Sequence, residues 1–256
     1  MLYPALALIL LTSACSKVII EELPTVTPTE IVVVEPSPTI DWFPATATPT
    51  NKPVVEQTPT VMLFDPTANL GAMLVDDNFS DPTLWKTGKS TAGNVVYGEG
   101  NLSLAVAGNK GNLNSLSPYT LLQDFYLEMT VKVSLCQYGD QYGLLFWYIN
   151  SGDTYRLSLT CDGRLRLELI TGSSGVVLQD WTYASKMMPG GPAEHVIGLW
   201  AKEGKIQVFI NGTYQFIVKT TADRTGGLGV FARSAGDTAM TVGFSGLKVY
   251  QFNPLP

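Results

Sequence analysis

Tyr126-Leu127-Glu128-Met129-Thr130-Val131-Lys132-Val133-Ser134 decides the fold. Leu127, Met129, Val131 and Val133 alternate with Glu128, Thr130, Lys132 and Ser134. A period of two gives a strand one apolar face and one wet face, the mark of an antiparallel sheet packed on one side. The same pattern spreads outward from this stretch. Residues 155–160 alternate and turn at Cys161-Asp162-Gly163 into residues 164–170, where Leu165, Leu167 and Leu169 oppose Arg164, Arg166 and Glu168. Residues 142–149 are nearly all apolar and suit a central strand. Asn211-Gly212 joins residues 205–210 to 213–219, the strongest short hairpin signal. Segments 94–97, 102–106, 176–181, 195–202, 227–233 and 240–250 complete roughly a dozen strands, with no convincing helical period. Many short strands with turn signals between them predict an all-β, two-sheet antiparallel sandwich or jelly roll.

Upstream of this domain the composition changes. Residues 16–70 hold nine of the 16 prolines and ten threonines, whereas all 24 glycines lie beyond residue 70. Proline at this density blocks helices and sheet ladders, and too little apolar surface recurs to bury a core. A disordered Thr/Pro-rich linker is expected, about 55 residues that at ~3.1 Å each reach at most ~170 Å. Before it, residues 5–11 form an apolar run too short to span a bilayer. Thr12-Ser13-Ala14-Cys15 follows and resembles a lipobox, whose cysteine receives diacylglycerol before cleavage. The expected organisation is a signal peptide (1–14), a lipidated Cys15 with its tether (15–70), and one β-sandwich domain (71–256). The expected location is extracytoplasmic, lipid-anchored to a bacterial membrane or outer surface. Residues 71–256 carry 15 acids against 14 bases, so the domain has no electrostatic footprint for nucleic acid.

Several segments resemble the concanavalin A-like (laminin G-like) jelly-roll superfamily. Asp76-Asp77-Asn78-Phe79-Ser80-Asp81-Pro82 with Trp85 is similar to the first strand of many such bacterial modules. Tyr155-Arg156-Leu157-Ser158-Leu159 with Asp162-Gly163 resembles their central hairpin, and Ile206-Gln207-Val208-Phe209-Ile210-Asn211-Gly212 a later one. Gly227-Leu228-Gly229-Val230-Phe231-Ala232, Val242-Gly243-Phe244 and Leu247-Lys248-Val249-Tyr250 resemble the closing pair. In this layout Cys136 and Cys161 sit near the ends of neighbouring strands and are expected to pair. Alternation sends the two to opposite faces, so a bulge or a turn must intervene.

What the resemblance implies about chemistry is limited. Glucanases of this superfamily carry Glu-x-Asp-x-x-Glu on one strand, and no glutamate of this chain has an aspartate two residues later. A chain that is not an enzyme is therefore expected. Glu128 and Glu168 are expected to share a wet face with Lys132, Arg156, Arg164 and Arg166, a solvated set of cross-strand ion pairs. His195 is the only histidine, and no Gly-x-Ser-x-Gly turn accompanies it. Gly88-Lys89-Ser90-Thr91 mimics the end of a phosphate loop, but Thr83 stands where the first glycine belongs. No cofactor is expected beyond a candidate Ca²⁺, with Asp76, Asp77 and Asp153 as donors and Asp81 and Asp140 beside them. Trp147, Tyr148 and Tyr155 are the candidate sugar-stacking rings, with Arg156, Arg166, Glu128 and Glu168 as polar partners. Three functions stay open: a non-catalytic display module for glycan or another extracellular polymer, a glycan-cleaving enzyme with an atypical carboxylate pair, and a structural or protein-docking envelope protein.

Overall fold

A computed structural model of the chain describes residues 64–121, 123–150, 153–220 and 224–253. Cys15 and almost all of the tether lie outside them. Among the described residues there are fifteen strands and no helix. The first five are β1 (Leu70–Asp77), β2 (Gly88–Ser90), β3 (Gly93–Gly98), β4 (Asn101–Val106) and β5 (Asn112–Leu121). The middle of the chain forms β6 (Phe125–Leu135), β7 (Gln141–Asn150), β8 (Asp153–Thr160), β9 (Arg164–Thr171) and β10 (Ser174–Tyr183). β11 (Ala193–Lys202), β12 (Lys205–Ile210), β13 (Thr213–Lys219), β14 (Gly226–Arg233) and β15 (Met240–Phe252) close it. All described pairings are antiparallel, in two sheets. Sheet A runs β13-β12-β11-β6-β15-β4-β3-β2, and β1 also pairs with β15. Sheet B runs β10-β9-β8-β7-β14-β5.

The period-two pattern fixes which side of each sheet is dry. In sheet A, Leu127 of β6 lies between Leu199 of β11 and Val249 of β15, and all three are buried. In sheet B, Leu157 of β8 lies between Leu144 of β7 and Leu167 of β9, again buried. These inner faces form one apolar core, to which each fully buried Leu or Val contributes about 1.5–3 kcal/mol. β15 is long enough for two partners on one edge. Its first half pairs with β4 and its second with β1, with a register shift between Ser245 and Lys248.

Three strands depart from the sequence pattern. β5 was not expected, because Asn, Ser and Pro118 interrupt any alternation there. It is the outer strand of sheet B, paired only with β14, where a missing N–H is tolerated. β2 is the phosphate-loop mimic, and it is a short strand against β3. In β7 the alternation breaks at Trp147, whose φ of 50° lies in the left-handed region. The pairing with β8 shifts after Phe146, so Phe146 and Trp147 both turn into the core.

Cys136 and Cys161 form a disulfide, with Cα atoms 6.0 Å apart. The two cysteines are not on neighbouring strands of one sheet. Cys136 follows β6 in sheet A and Cys161 begins the turn after β8 in sheet B, so the bond staples the sheets together. Both lie just past their strands, which removes the conflict of faces that alternation imposes.

Candidate functional site

The outward face of sheet B carries a continuous ladder of rings, guanidinium groups and carboxylates. Alternation on β8 and β9 turns Arg156, Arg164, Arg166 and Glu168 away from the core. The β8–β9 register sets Arg156 opposite Glu168 and Ser158 opposite Arg166. Glu168 accepts hydrogen bonds from Arg156 at 2.8 Å (Nη2) and 3.3 Å (Nε), and Arg166 Nη2 lies 3.2 Å from its other oxygen. Arg164 pairs with Asp162 at 2.5 Å. The Trp181 ring of β10 lies beside both Arg164 and Arg166, at 5.4 and 5.5 Å. The ring of Tyr138, 76% exposed, also lies beside Arg164 at 5.5 Å, and Phe231 of β14 lies 5.9 Å from Arg156. Such cation–π stacks hold a guanidinium plane flat and leave its N–H edge for a partner.

The outward face of sheet A is built differently. A groove of about 390 Å³ crosses it, floored by short polar side chains that include Ser103, Ser134, Thr241 and Ser245. Lys132, Glu99 and Glu194 also line it. Toward the other end of this face, Phe64 packs against Trp200 at 5.4 Å and Phe209 at 6.1 Å, and Trp200 against Phe252 at 5.5 Å.

Of the expected site residues, Arg156, Arg166 and Glu168 come together as described. Trp147 and Tyr155 are corrections, being 3% and 1% exposed and packed against each other at 5.2 Å in the core. Position 147 turns inward through its left-handed backbone, which strand periodicity cannot foresee. Tyr148 is half-buried and its ring lies beside Gly227. Glu128 is a further correction. It lies on β6 in sheet A, on the opposite side of the sandwich from Glu168, and accepts a hydrogen bond from Tyr126 at 2.7 Å. Burial and that carboxylate push the Tyr126 phenol well above its ordinary range. The two glutamates therefore form no pair. Trp181 and Phe231 were missed, because single rings on β10 and β14 give no local signal of convergence.

The calcium set does not assemble either. Asp76 and Asp77 end β1 in sheet A, whereas Asp153 opens β8 in sheet B. Asp77 is buried and serves the fold: it accepts hydrogen bonds from the Phe79 amide (2.8 Å), the Trp85 indole (2.8 Å) and the Tyr119 hydroxyl (3.2 Å). Burial and the Asp77 charge push the Tyr119 phenol up to about 12. Asp81 caps its own turn through Thr83, and Asp140 accepts from the amides of Gln137 and Ala235, both at 2.8 Å. Among the described residues no three His, Cys, Asp or Glu side chains could hold a metal ion. His195 on β11 is buried and faces the core.

No protein-family model and no curated relative matches the sequence. Solved structures do match. A Bacillus subtilis protein of unknown function with a galectin-like fold is 15% identical, with a TM-score of 0.56 over 71% of this chain and 97% of that one. β-Agarase A from Zobellia galactanivorans is 12% identical, with a TM-score of 0.56 over 78% of this chain and 99% of the agarase. A Bacillus licheniformis β-glucanase is 12% identical, with a TM-score of 0.52 over 72% and 99%. The expectation of a chain that is not an enzyme is corrected by these neighbours. It rested on one absent motif, and the scaffold is shared with several proteins named as glycan-cleaving enzymes, so that missing motif does not exclude catalysis. Identities this low establish architecture alone. Two antiparallel sheets in this order, with neighbours of this shape, make the domain a concanavalin A-like jelly roll.

Proposed function

We propose that the outward face of sheet B is a glycan-recognition surface, displayed outside the cytoplasm by a lipid on Cys15 and the Thr/Pro-rich tether. The observation that carries this reading is the ladder Tyr138–Arg164–Trp181–Arg166–Glu168–Arg156–Phe231. Its Tyr138 and Trp181 rings offer faces to sugar C–H groups, its guanidinium and carboxylate groups offer fixed polar edges to sugar hydroxyls, and Phe231, 2% exposed, backs Arg156 from beneath. The agarase and the β-glucanase take polysaccharides by their names, which supports the class of ligand.

The test is binding of the full chain to a polysaccharide panel, with reducing-sugar release scored in the same wells. Trp181→Ala removes the ring shared by Arg164 and Arg166 and is expected to weaken binding about tenfold, the scale of one stacked ring. Binding unchanged by that variant would sink the assignment to this face. The anchor is tested separately: labelled palmitate incorporates into the chain and not into Cys15→Ser.

A second reading, cleavage, is favoured by the two carboxylates, Glu99 and Glu194, that line the groove on sheet A. It requires sugar release that Glu194→Gln abolishes while binding persists.

A further inference from the structure

The chain has five arginines and eleven lysines, and the two are segregated. The six strands of sheet B hold four of the arginines, Arg156, Arg164, Arg166 and Arg233, and no lysine at all. No lysine occurs between Lys132 and Lys186, a stretch that covers β7 to β10. Solubility alone does not select in this way, because lysine serves a wet face equally well. Arginine differs in its planar fork, which grips carboxylate and sulfate through two parallel N–H donors, and in its readiness to stack on rings.

The acids on this face do not use up those donors. Glu168 is shared by Arg156 and Arg166, and Asp162 is taken by Arg164. Asp180, largely exposed, reaches Arg166 only at 3.9 Å. The buried Nε of Arg166 has no hydrogen-bond partner, and among the described residues Arg233 has no ion-pair partner. Ser158 is a second, independent sign. It is 0% exposed, its hydroxyl has no partner, and it sits on the outward side between Arg166 of β9 and Gly143 of β7. Gly143 carries no side chain beside it, at a φ of 152° where a Cβ would collide with the Leu157 carbonyl oxygen, and the Phe231 ring of β14 lies over that position. Register thus sets an unused hydroxyl opposite a residue with an unused guanidinium edge, next to the Phe231 ring, with a further arginine two strands away at Arg233.

We propose that the glycan taken by this face is an acidic one, whose carboxylate or sulfate groups seat on Arg166 beside Ser158 and on Arg233. This rests on the glycan-recognition reading above and adds the charge class of the ligand. A buried donor without a partner carries a desolvation penalty in the free protein, and an anionic oxygen drawn to the Arg166 edge relieves it. A polymer with recurring acid groups meets both arginines at once.

The full chain is titrated calorimetrically with matched pairs. Polygalacturonate against its methyl-esterified form tests the carboxylate; a sulfated galactan against its desulfated form tests the sulfate. The expected result is at least tenfold tighter binding of one acidic form than of its neutral partner, weakened by added salt. That preference is lost in Arg166→Gln and in Arg233→Gln, the second being an exposed residue whose loss leaves the core untouched. Retention of the unfolding midpoint in both variants separates lost recognition from lost fold. Equal binding of acidic and neutral partners overturns the charge class and leaves glycan recognition standing. Binding of no polysaccharide overturns both. Polyglutamate bound as tightly as polygalacturonate also overturns the inference, since charge without sugar would then suffice.

Discussion

The two outward faces of this sandwich are made by the same period-two rule, yet they have opposite characters. On sheet A the outward positions of β6, β15 and β4 that line the groove are short or singly charged, and the sheet sinks between them. On sheet B the outward positions of β8, β9 and β14 are long and interlocked, ring against guanidinium against carboxylate. Sequence alternation assigns a residue to the wet side of a strand. What that side becomes depends on the neighbours that register brings beside it. The polar positions of β6 and β9 are Glu128, Thr130, Lys132 and Arg164, Arg166, Glu168, almost interchangeable as text. One set lines a trough and the other builds a rigid ladder, because sheet B adds Arg156, Trp181 and Phe231 from three other strands.

Three measurements break or sharpen this contrast. The largest effect comes from the staple between the faces. Cys136→Ser with Cys161→Ser opens a loop of 25 residues and is expected to cost about 3.5 kcal/mol of stability in the chain-entropy view. Denaturant titration checks it. A loss confined to sheet B, seen as faster amide exchange near Arg164 with sheet A protected, would show that the faces are anchored separately.

The second measurement compares the two glutamates. Glu168→Ala leaves two half-buried guanidiniums without their shared carboxylate, at a cost of about 2–3 kcal/mol. Glu128→Ala removes one acceptor from the Tyr126 hydroxyl, at about 1 kcal/mol. Equal losses in thermal or urea unfolding would erase the claimed difference in rigidity.

The smallest effect is one of pH. Burial holds the His195 imidazole below its ordinary 6.5. The unfolded chain therefore binds a proton at a pH where the folded domain does not, and stability rises with pH in that window. His195 contributes fully above about pH 6.5, and the contribution is lost as pH falls below it toward the folded value. His195→Leu is expected to flatten the slope of the urea midpoint between those limits. An unchanged slope would place the titration elsewhere.

The all-β class was legible because one local signal, alternation, recurs along the domain and needs no knowledge of partners. Leu127–Val133 and Leu165–Leu169 each announce their dry side alone. β5 was illegible for the converse reason: as an outer strand paired only with β14, it bears Pro118 and few apolar residues, and only its partner makes it a strand. The disulfide was legible as a pair and not as a staple between sheets. Arg156, Arg166 and Glu168 were legible as a polar set, since they alternate within one hairpin.

The rest was decided by tertiary structure. Trp147 turns inward through a left-handed backbone and a register shift, neither of which side-chain pattern encodes. Glu128 and Glu168 have the same local pattern and end on opposite sides of the molecule, because the choice between two sheets is a matter of long-range pairing. Convergence of Tyr138, Trp181 and Phe231 on the arginines is set by strand order, which brings together residues up to 75 positions apart. The sequence by itself determined most of the strands, the dry faces of those that alternate, and the tether's composition, since each is a local property of spacing and residue type. Only the pairing of strands decided which wet face carries the site, because register between distant segments is a property of the folded whole.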